Sequence, residues 1–456
     1  MDRGARYAID DGYIFRHEFF GGLFHSRYGG GKFEASHAVA SAVHAMASGR
    51  TLEEAERFAD RLNLPLNRGD LAELHTAGVL RKFRETAEDC LMPPDEEVFS
   101  FLNKQLLNAR SRDHLRAPIN LSIYPSMKCQ LDCTFCFVTD EKWRIEDKQD
   151  ASQWAVVLRE AKAAGVPFVS ILGGEPTLFG GFLQLLNEIE GIGIKTTFTT
   201  NGLRLTDALV SFLASSKWIT PVISIQSLDD YNSVTTGISA SKPLRALAIL
   251  REAGVKCRVN AVYTGQTVRQ FEELLRLCDV LGVEKVSVGH HLDLKGRAGT
   301  PSFRDSRHLH EQLSGVDSSL DFQLEGCQLY TAYPELQRLP DSTFEVLTAG
   351  CEAGNGRGEV MADGTLLPCS ALRVENWGGL NVFTDGFQVA WDRSLSFKKI
   401  RGTKTVDTEC RSCRFGYFCN GGCPAVNELR HGHAFTVGDP RCGLKKTYSD
   451  PLAQPN

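Results

Sequence analysis

At 456 residues, with 42% hydrophobic and 23% charged side chains, the chain has material for two or three domains with sizeable cores. Its net charge of −5 argues against a nucleic-acid footprint, and no apolar run reaches the length of a bilayer span. The opening MDRGARYAIDDG lacks the apolar stretch of a secretory signal, so the expected compartment is the cytoplasm, where the 14 cysteines would stay reduced rather than pair.

Residues 1–90 read as a small independent unit. Tyr7–Asp10, Tyr13–His17 and Phe20–Tyr28 are short, aromatic-rich runs separated by turn residues, which predicts a meander of three strands. His37–Ala47, Leu52–Leu62 and Arg68–Ala77 follow with helical spacing, each preceded by a capping residue (Ser36, Thr51, Asn67), and Gly78 ends the third. Three strands and three helices predict a winged-helix-like module. Residues 91–120 predict a helical linker.

From Leu121 onward the pattern alternates. Strands are predicted at Leu121–Tyr124, Phe168–Leu172, Lys195–Thr200, Pro221–Gln226, Arg258–Tyr263 and Lys285–Gly289. Amphipathic stretches at Ala151–Ala164, Gly181–Gly191, Leu205–Ser215, Pro243–Ala253 and Val268–Leu281 lie between them. Such alternation predicts an α/β fold with a parallel sheet: a partial (β/α)6, TIM-like barrel over residues 121–320, with chemistry at the C-terminal strand ends. Residues 321–456, rich in Gly and Cys and poor in periodicity, predict an irregular domain held by ligands rather than by an apolar core.

The cysteines carry the chemistry. Cys90 is alone in the first 128 residues, whereas Cys129, Cys133 and Cys136 crowd one loop directly after the first barrel strand. Three thiolates can bind three irons of a [4Fe–4S] cluster and leave the fourth iron open. A structural zinc site would want four closed ligands, and no fourth lies nearby. The spacing C-x3-C-x2-C, with Phe135 before the last cysteine, resembles the radical S-adenosylmethionine (SAM) superfamily. In that family the open iron chelates SAM, whose reductive cleavage yields a 5′-deoxyadenosyl radical. The resemblance implies cofactor contacts from Gly173, Gly174 and Glu175 (the GGEP turn ending with Pro176), and from Thr200 and Asn201. It extends to Ser224 and Gln226, where relatives often carry Ser-x-Asp, and to Asn260. An amide at 226 retains hydrogen-bonding capacity.

Seven further cysteines obey a tight rule. Cys351 is followed after twelve residues by Gly364 and after four more by Cys369; Cys410-x2-Cys413-x5-Cys419-x3-Cys423 and Cys442 complete the set. This resembles the SPASM domain of radical SAM peptide maturases. By that resemblance Cys410, Cys413, Cys419 and Cys442 hold one auxiliary [4Fe–4S] cluster. Cys351, Cys369 and Cys423 hold another, with Cys327 as its fourth ligand or with an open iron, giving three clusters in all. Cys90, Cys257 and Cys278 sit in periodic stretches and read as core residues.

Residues 1–90, through Phe20-Gly21-Gly22-Leu23-Phe24 and Ala47–Glu54, resemble the peptide-recognition element of such maturases. In that family a precursor's leader adds as a strand to a sheet edge. The implied function is a radical SAM maturase that cross-links a ribosomally made peptide (thioether, carbon–carbon or ether), fed by a low-potential donor such as flavodoxin or ferredoxin, with no nucleic-acid or membrane partner. Ser370 stands where sulfatase-maturing relatives carry an aspartate base, which disfavours formylglycine formation. Oxidation of a small molecule or another side chain, and a non-catalytic electron carrier, are the alternatives. For proton transfer the sequence offers His290, His291 and Asp293, and Gly296-Arg297-Ala298 resembles a family segment near the SAM carboxylate and substrate, which singles out Arg297.

Overall fold

The computed structural model describes residues 1–27, 32–82, 93–138, 144–292, 308–309, 311–313, 320–325, 339–439 and 441–442. Cys90, Asp293, Gly296, Arg297, Ala298 and Cys327 lie outside them. Two units emerge: Met1–Pro118 with Lys162–Pro167 and Ser342–Phe344, and the remainder.

In the first unit, β2 (Tyr13–Glu18), β3 (Gly21–Ser26) and β4 (Lys32–Ala35) form an antiparallel sheet, while β1 (Tyr7–Ile9) pairs with β5 (Leu80–Lys82). The predicted meander is therefore rearranged. Gly78, with φ of +75°, turns the chain after the third helix, and Asp10 N–H donates to Val79 O at 2.9 Å, drawing β5 alongside β1. The sequence missed β4 and β5 because runs of three or four residues carry too little alternation. Helices α1 (His37–Ala47), α2 (Leu52–Arg61) and α3 (Arg68–Thr76) begin at Ser36, Thr51 and Asn67, whose side chains accept from Val39, Glu54 and Gly69 N–H respectively. Thr51 and Glu54 form a reciprocal capping box. The expected linker contains α4 (Asp95–Arg110), which places Val98 and Leu102 in one core with Phe24, Val43, Met46, Phe58 and Leu71. Each such buried side chain contributes about 2 kcal/mol of transfer free energy.

The second unit is built on a nine-stranded sheet in the order β12-β11-β10-β9-β8-β7-β6-β13-β14. The expected six strands are β6 (Asn120–Ile123), β7 (Phe168–Ile171), β8 (Lys195–Thr200), β9 (Ile219–Ser224), β10 (Arg258–Tyr263) and β11 (Lys285–His290). Three more extend the sheet: β12 (Asp321–Glu325), β13 (Arg357–Val360) and β14 (Leu366–Leu367). Every neighbouring pair is parallel except β13 with β14. Helices α5 (Ala151–Ala164), α6 (Phe182–Ile192), α7 (Asp207–Ser215), α8 (Asp230–Thr236), α9 (Ser241–Glu252) and α10 (Val268–Val280) lie between the strands in the chain.

Register separates two chemistries. Ile123, Ile171, Phe198, Ile223, Ala261 and Val288 lie on one face and are buried. On the other, Ser224, Asn260, Ser287 and Gln323 align strand to strand, as do Glu359, Ser122, Ser170 and Thr197. The two-residue period of each strand produces this division.

The Cys-rich region has an apolar core after all. Met361, Leu367, Trp377, Val426 and Phe435 pack in one cluster with Tyr124 and Met127, and Phe387, Trp391 and Phe397 are fully buried. Its irregular spacing hid this core because short helices and turns bury residues without a sustained period.

Candidate active site

Beyond β6, the chain runs through Tyr124–Lys128 into the loop carrying Cys129, Cys133 and Cys136, all partly exposed. The loop is anchored on the end of α8: Thr134 N–H donates to Thr235 O at 2.9 Å and its hydroxyl donates to the same carbonyl at 3.4 Å. Cys136 N–H closes a turn onto Cys133 O at 3.1 Å.

The Gly173-Gly174-Glu175 turn at the end of β7 docks directly under this loop. Gly174 N–H donates to Ser126 O and Glu175 N–H to Lys128 O, at 3.1 and 2.7 Å. A Cβ on Gly173 would stand 2.3 Å from Ser126 O, and one on Gly174 would stand 2.2 Å from Lys128 O. The glycines are thus required by close approach to the backbone leading into Cys129.

Glu175 is buried, and its carboxylate faces four donors. Oε1 accepts from Thr177 N–H (3.2 Å), the Thr177 hydroxyl (2.7 Å) and the Thr200 hydroxyl (2.7 Å); Oε2 accepts from Asn201 N–H (2.9 Å). Asn201 Oδ1 in turn accepts from Gln130 Nε2, inside the cysteine loop, at 3.2 Å. The ends of β7 and β8 and the loop after β6 are therefore one hydrogen-bonded assembly.

Strand β9 ends at Ser224, so Gln226 lies just past it. Gln226 is buried and bridges strands: Nε2 donates to Ser224 Oγ at 3.0 Å and Oε1 accepts from Val262 N–H at 2.7 Å. Its backbone N–H donates to Asn232 Oδ1 at 2.9 Å. Asn260 stands opposite Ser224, on the polar face. His290 ends β11 opposite Tyr263, and His291 is buried.

The C-terminal cysteines divide by packing. Cys351, Cys369 and Cys423 belong to the apolar cluster that also contacts Cys136, whereas Cys413 and Cys419 pack against Phe415 and Phe418. Two aspartates that the sequence reading missed organise these loops. Asp407 caps the turn before Cys410, accepting from Glu409 and Cys410 N–H at 3.0 and 3.2 Å. Asp439, buried beside Arg441, accepts from Cys423 N–H at 3.1 Å, while its carbonyl accepts from Cys442 N–H at 3.1 Å. Their signal was present: Asp two or three residues before a loop that needs its amides held.

A second missed pair joins the sheet to the Cys-rich region. The Tyr124 hydroxyl donates to the Glu359 carboxylate, both groups being 1% exposed. Burial foremost, then the negative Glu359, pushes the Tyr124 phenol well above its ordinary range, and the hydroxyl of Ser370 opposes this.

Burial and the two neighbouring thiols push Cys133 up to about 12, and burial chiefly raises Cys129. Three thiolates so placed repel one another unless a cation joins them, and a coordinating thiol is deprotonated outright. Among the described residues, no three His, Cys, Asp or Glu side chains close on a single ion's position. Three cysteines on one loop suit a [4Fe–4S] cluster, in which each thiolate binds a different iron. Among those residues no helix is long and apolar enough to cross a membrane.

Comparison with known proteins matches residues 123–278 to the radical SAM superfamily. SuiB of Streptococcus suis bound to S-adenosylmethionine aligns with 31% identity and a TM-score of 0.83, covering 96% of this chain and all of that one. SuiB bound to its precursor peptide SuiA gives a TM-score of 0.84 at 30% identity with the same coverage. The PqqA peptide cyclase of Rhizobium meliloti (strain 1021) is 23% identical over 340 residues, spanning 73% of this chain and 89% of its own. The mycofactocin maturase MftC of Mycolicibacterium smegmatis is 26% identical over 348 residues, spanning 72% and 83%.

Proposed function

The chain belongs to the radical SAM superfamily, and from that premise we propose that it is a maturase that cross-links a ribosomally made precursor peptide, with its residues dividing the work as follows. Cys129, Cys133 and Cys136 hold a [4Fe–4S] cluster with one iron left for SAM. When bound there, the cluster and SAM would supply the radical chemistry for hydrogen-atom abstraction from the substrate. The protein's task is to bind, orient and exclude water.

Gly173 and Gly174 present the backbone that meets the cysteine loop, and Glu175 fixes Thr200 and Asn201 as cofactor contacts. Ser224 and Asn260, in register on the polar face, form the ribose side of the site, with Gln226 holding Ser224 from behind. Cys410, Cys413, Cys419 and Cys442 hold one auxiliary cluster, and Cys351, Cys369 and Cys423 hold the other, making three. The separate packing environments of Cys413 with Cys419 and of Cys351, Cys369 and Cys423 support that division. Closure of the second set by Cys327, proton transfer by His290, and a contact from Arg297 to the SAM carboxylate or substrate remain part of the proposal. In the first unit the β2–β3–β4 sheet serves as the leader-binding element of a winged-helix-like module, so that the tethered core peptide reaches a high effective concentration. A low-potential carrier supplies electrons.

One observation carries the reading: the Cys129–Cys136 loop, the Gly173–Glu175 turn and the Thr200–Asn201 strand end are locked together by hydrogen bonds at adjoining strand ends. Anaerobic protein, given SAM, dithionite and a leader-bearing precursor peptide, is expected to release 5′-deoxyadenosine and leave the peptide two hydrogens lighter. SAM cleavage indifferent to a leader-bearing peptide would favour the small-molecule alternative. Zinc in place of iron would end the reading.

A further inference from the structure

We propose that Asp147 is a positioning residue of the radical site: its carboxylate grips the three residues that lead into Cys129 and so fixes the approach to the first cysteine of the loop. The inference deepens the reading above and rests on Cys129 being a cluster ligand.

Both polar side chains of the lead-in, Ser126–Lys128, end on this one carboxylate. Ser126 Oγ donates to Asp147 Oδ2 at 3.0 Å, and Lys128 Nζ lies 2.8 Å from Oδ1. Lys128 N–H donates back to Ser126 Oγ at 3.2 Å. The carbonyls of Ser126 and Lys128 are taken by the Gly173–Glu175 turn, through the N–H groups of Gly174 and Glu175. Met127, between them, is buried in the apolar cluster that also includes Cys136 and, two residues before Asp147, Ile145. The lead-in is thus held by its side chains, its carbonyls and its core-facing methionine, and the next residue is Cys129.

Asp147 follows Cys136 in the chain, so it ties the stretch before the three cysteines to the stretch after them. Ligands carried on a loop are costly to order unless other contacts hold that loop, and such supporting partners are worth roughly ten- to a hundredfold in metal affinity or activity. The two bonds to Asp147 are unequal. The Lys128 side chain is 69% exposed, so its ion pair is wet and weak, whereas Ser126 is fully buried and the Asp147 side chain is only 13% exposed. Breaking the Ser126 bond strands buried polar atoms, and it is this bond that does the holding.

The test uses anaerobically reconstituted full-length protein reduced with dithionite, and follows the change in its electron paramagnetic resonance signal on adding SAM, which reports the SAM-binding cluster. The SAM concentration giving half of that change is expected to rise at least about tenfold in Asp147→Ala and in Ser126→Ala. The Ser126→Ala/Asp147→Ala protein should be no worse than its poorer parent, as two ends of one bond require. Asp147→Asn keeps an oxygen that can accept from Ser126, and should stay within about threefold of wild type. Glu146→Gln, which removes an adjacent exposed carboxylate paired with Lys148, is the control and should match wild type. If Asp147→Ala does not fold, Ser126→Ala carries the test. An unchanged SAM response in the alanine variants, with or without a lowered unfolding midpoint, would overturn the proposal. So would an Asp147→Asn protein as impaired as Asp147→Ala, since charge and not the Ser126 bond would then be at work. A wild-type signal indifferent to SAM would instead remove the cluster reading itself, an outcome told apart because it needs no variant.

Discussion

Glu175 and Thr200 meet across the ends of two adjacent strands, the threonine hydroxyl donating to the glutamate Oε1 over 2.7 Å. Since the same carboxylate also takes the Asn201 and Thr177 N–H groups, it ties together the ends of β7 and β8.

Glu175→Ala should therefore cost about 3 kcal/mol, because it leaves buried donors unsatisfied, and Glu175→Gln should cost less. SAM affinity is expected to fall at least tenfold in the alanine variant. Urea unfolding and SAM titration check both. Wild-type affinity in a folded Glu175→Ala protein would contradict the positioning role.

Gly174→Ala should displace the cysteine loop rather than merely strain a turn. The added methyl would meet Lys128 O at 2.2 Å, an overlap relieved only by backbone movement, at about 1–3 kcal/mol. The variant should fold, yet reconstitute with substantially less iron than wild type. Full iron loading would show that the loop tolerates the shift.

The buried Tyr124–Glu359 pair should behave non-additively. Tyr124→Phe leaves a carboxylate without its donor and should destabilise by about 2 kcal/mol, whereas Tyr124→Phe/Glu359→Leu should regain at least half of that. A double-mutant cycle by chemical denaturation measures the coupling. Strictly additive losses would argue that the two groups do not depend on one another.

Acid should weaken the first unit through His17. Burial, with His44 and Arg116 nearby, lowers its pKa from 6.5 to about 3 in the folded chain. As pH falls below about 6.5 the unfolded chain takes up the proton first, so stability is full above that value and drains toward pH 3. The slope from this one group is about 1.4 kcal/mol per pH unit. Hydrogen exchange at β2 and β3 amides at pH 7 and pH 5 reads the effect in the intact protein. His17→Gln should flatten the slope, and an unchanged slope would point to other groups.

Sequence alone determined the alternation that builds β6 to β11, the caps at Ser36, Thr51 and Asn67, and the cysteine spacings that resemble iron–sulfur ligand sets. These are local quantities: a strand's period, a helix's first turn and a loop's ligand count are written within a dozen residues. The tertiary structure decided what those residues meet. It set β13 beside β6, and it joined Tyr124 to Glu359 across 235 residues. It also turned Gln226 inward to Ser224 and Val262, and closed Glu175 upon Thr200 and Asn201. Such partners depend on which chain segments packing brings together after long loops have closed, and nothing in the spacing of either partner encodes the other.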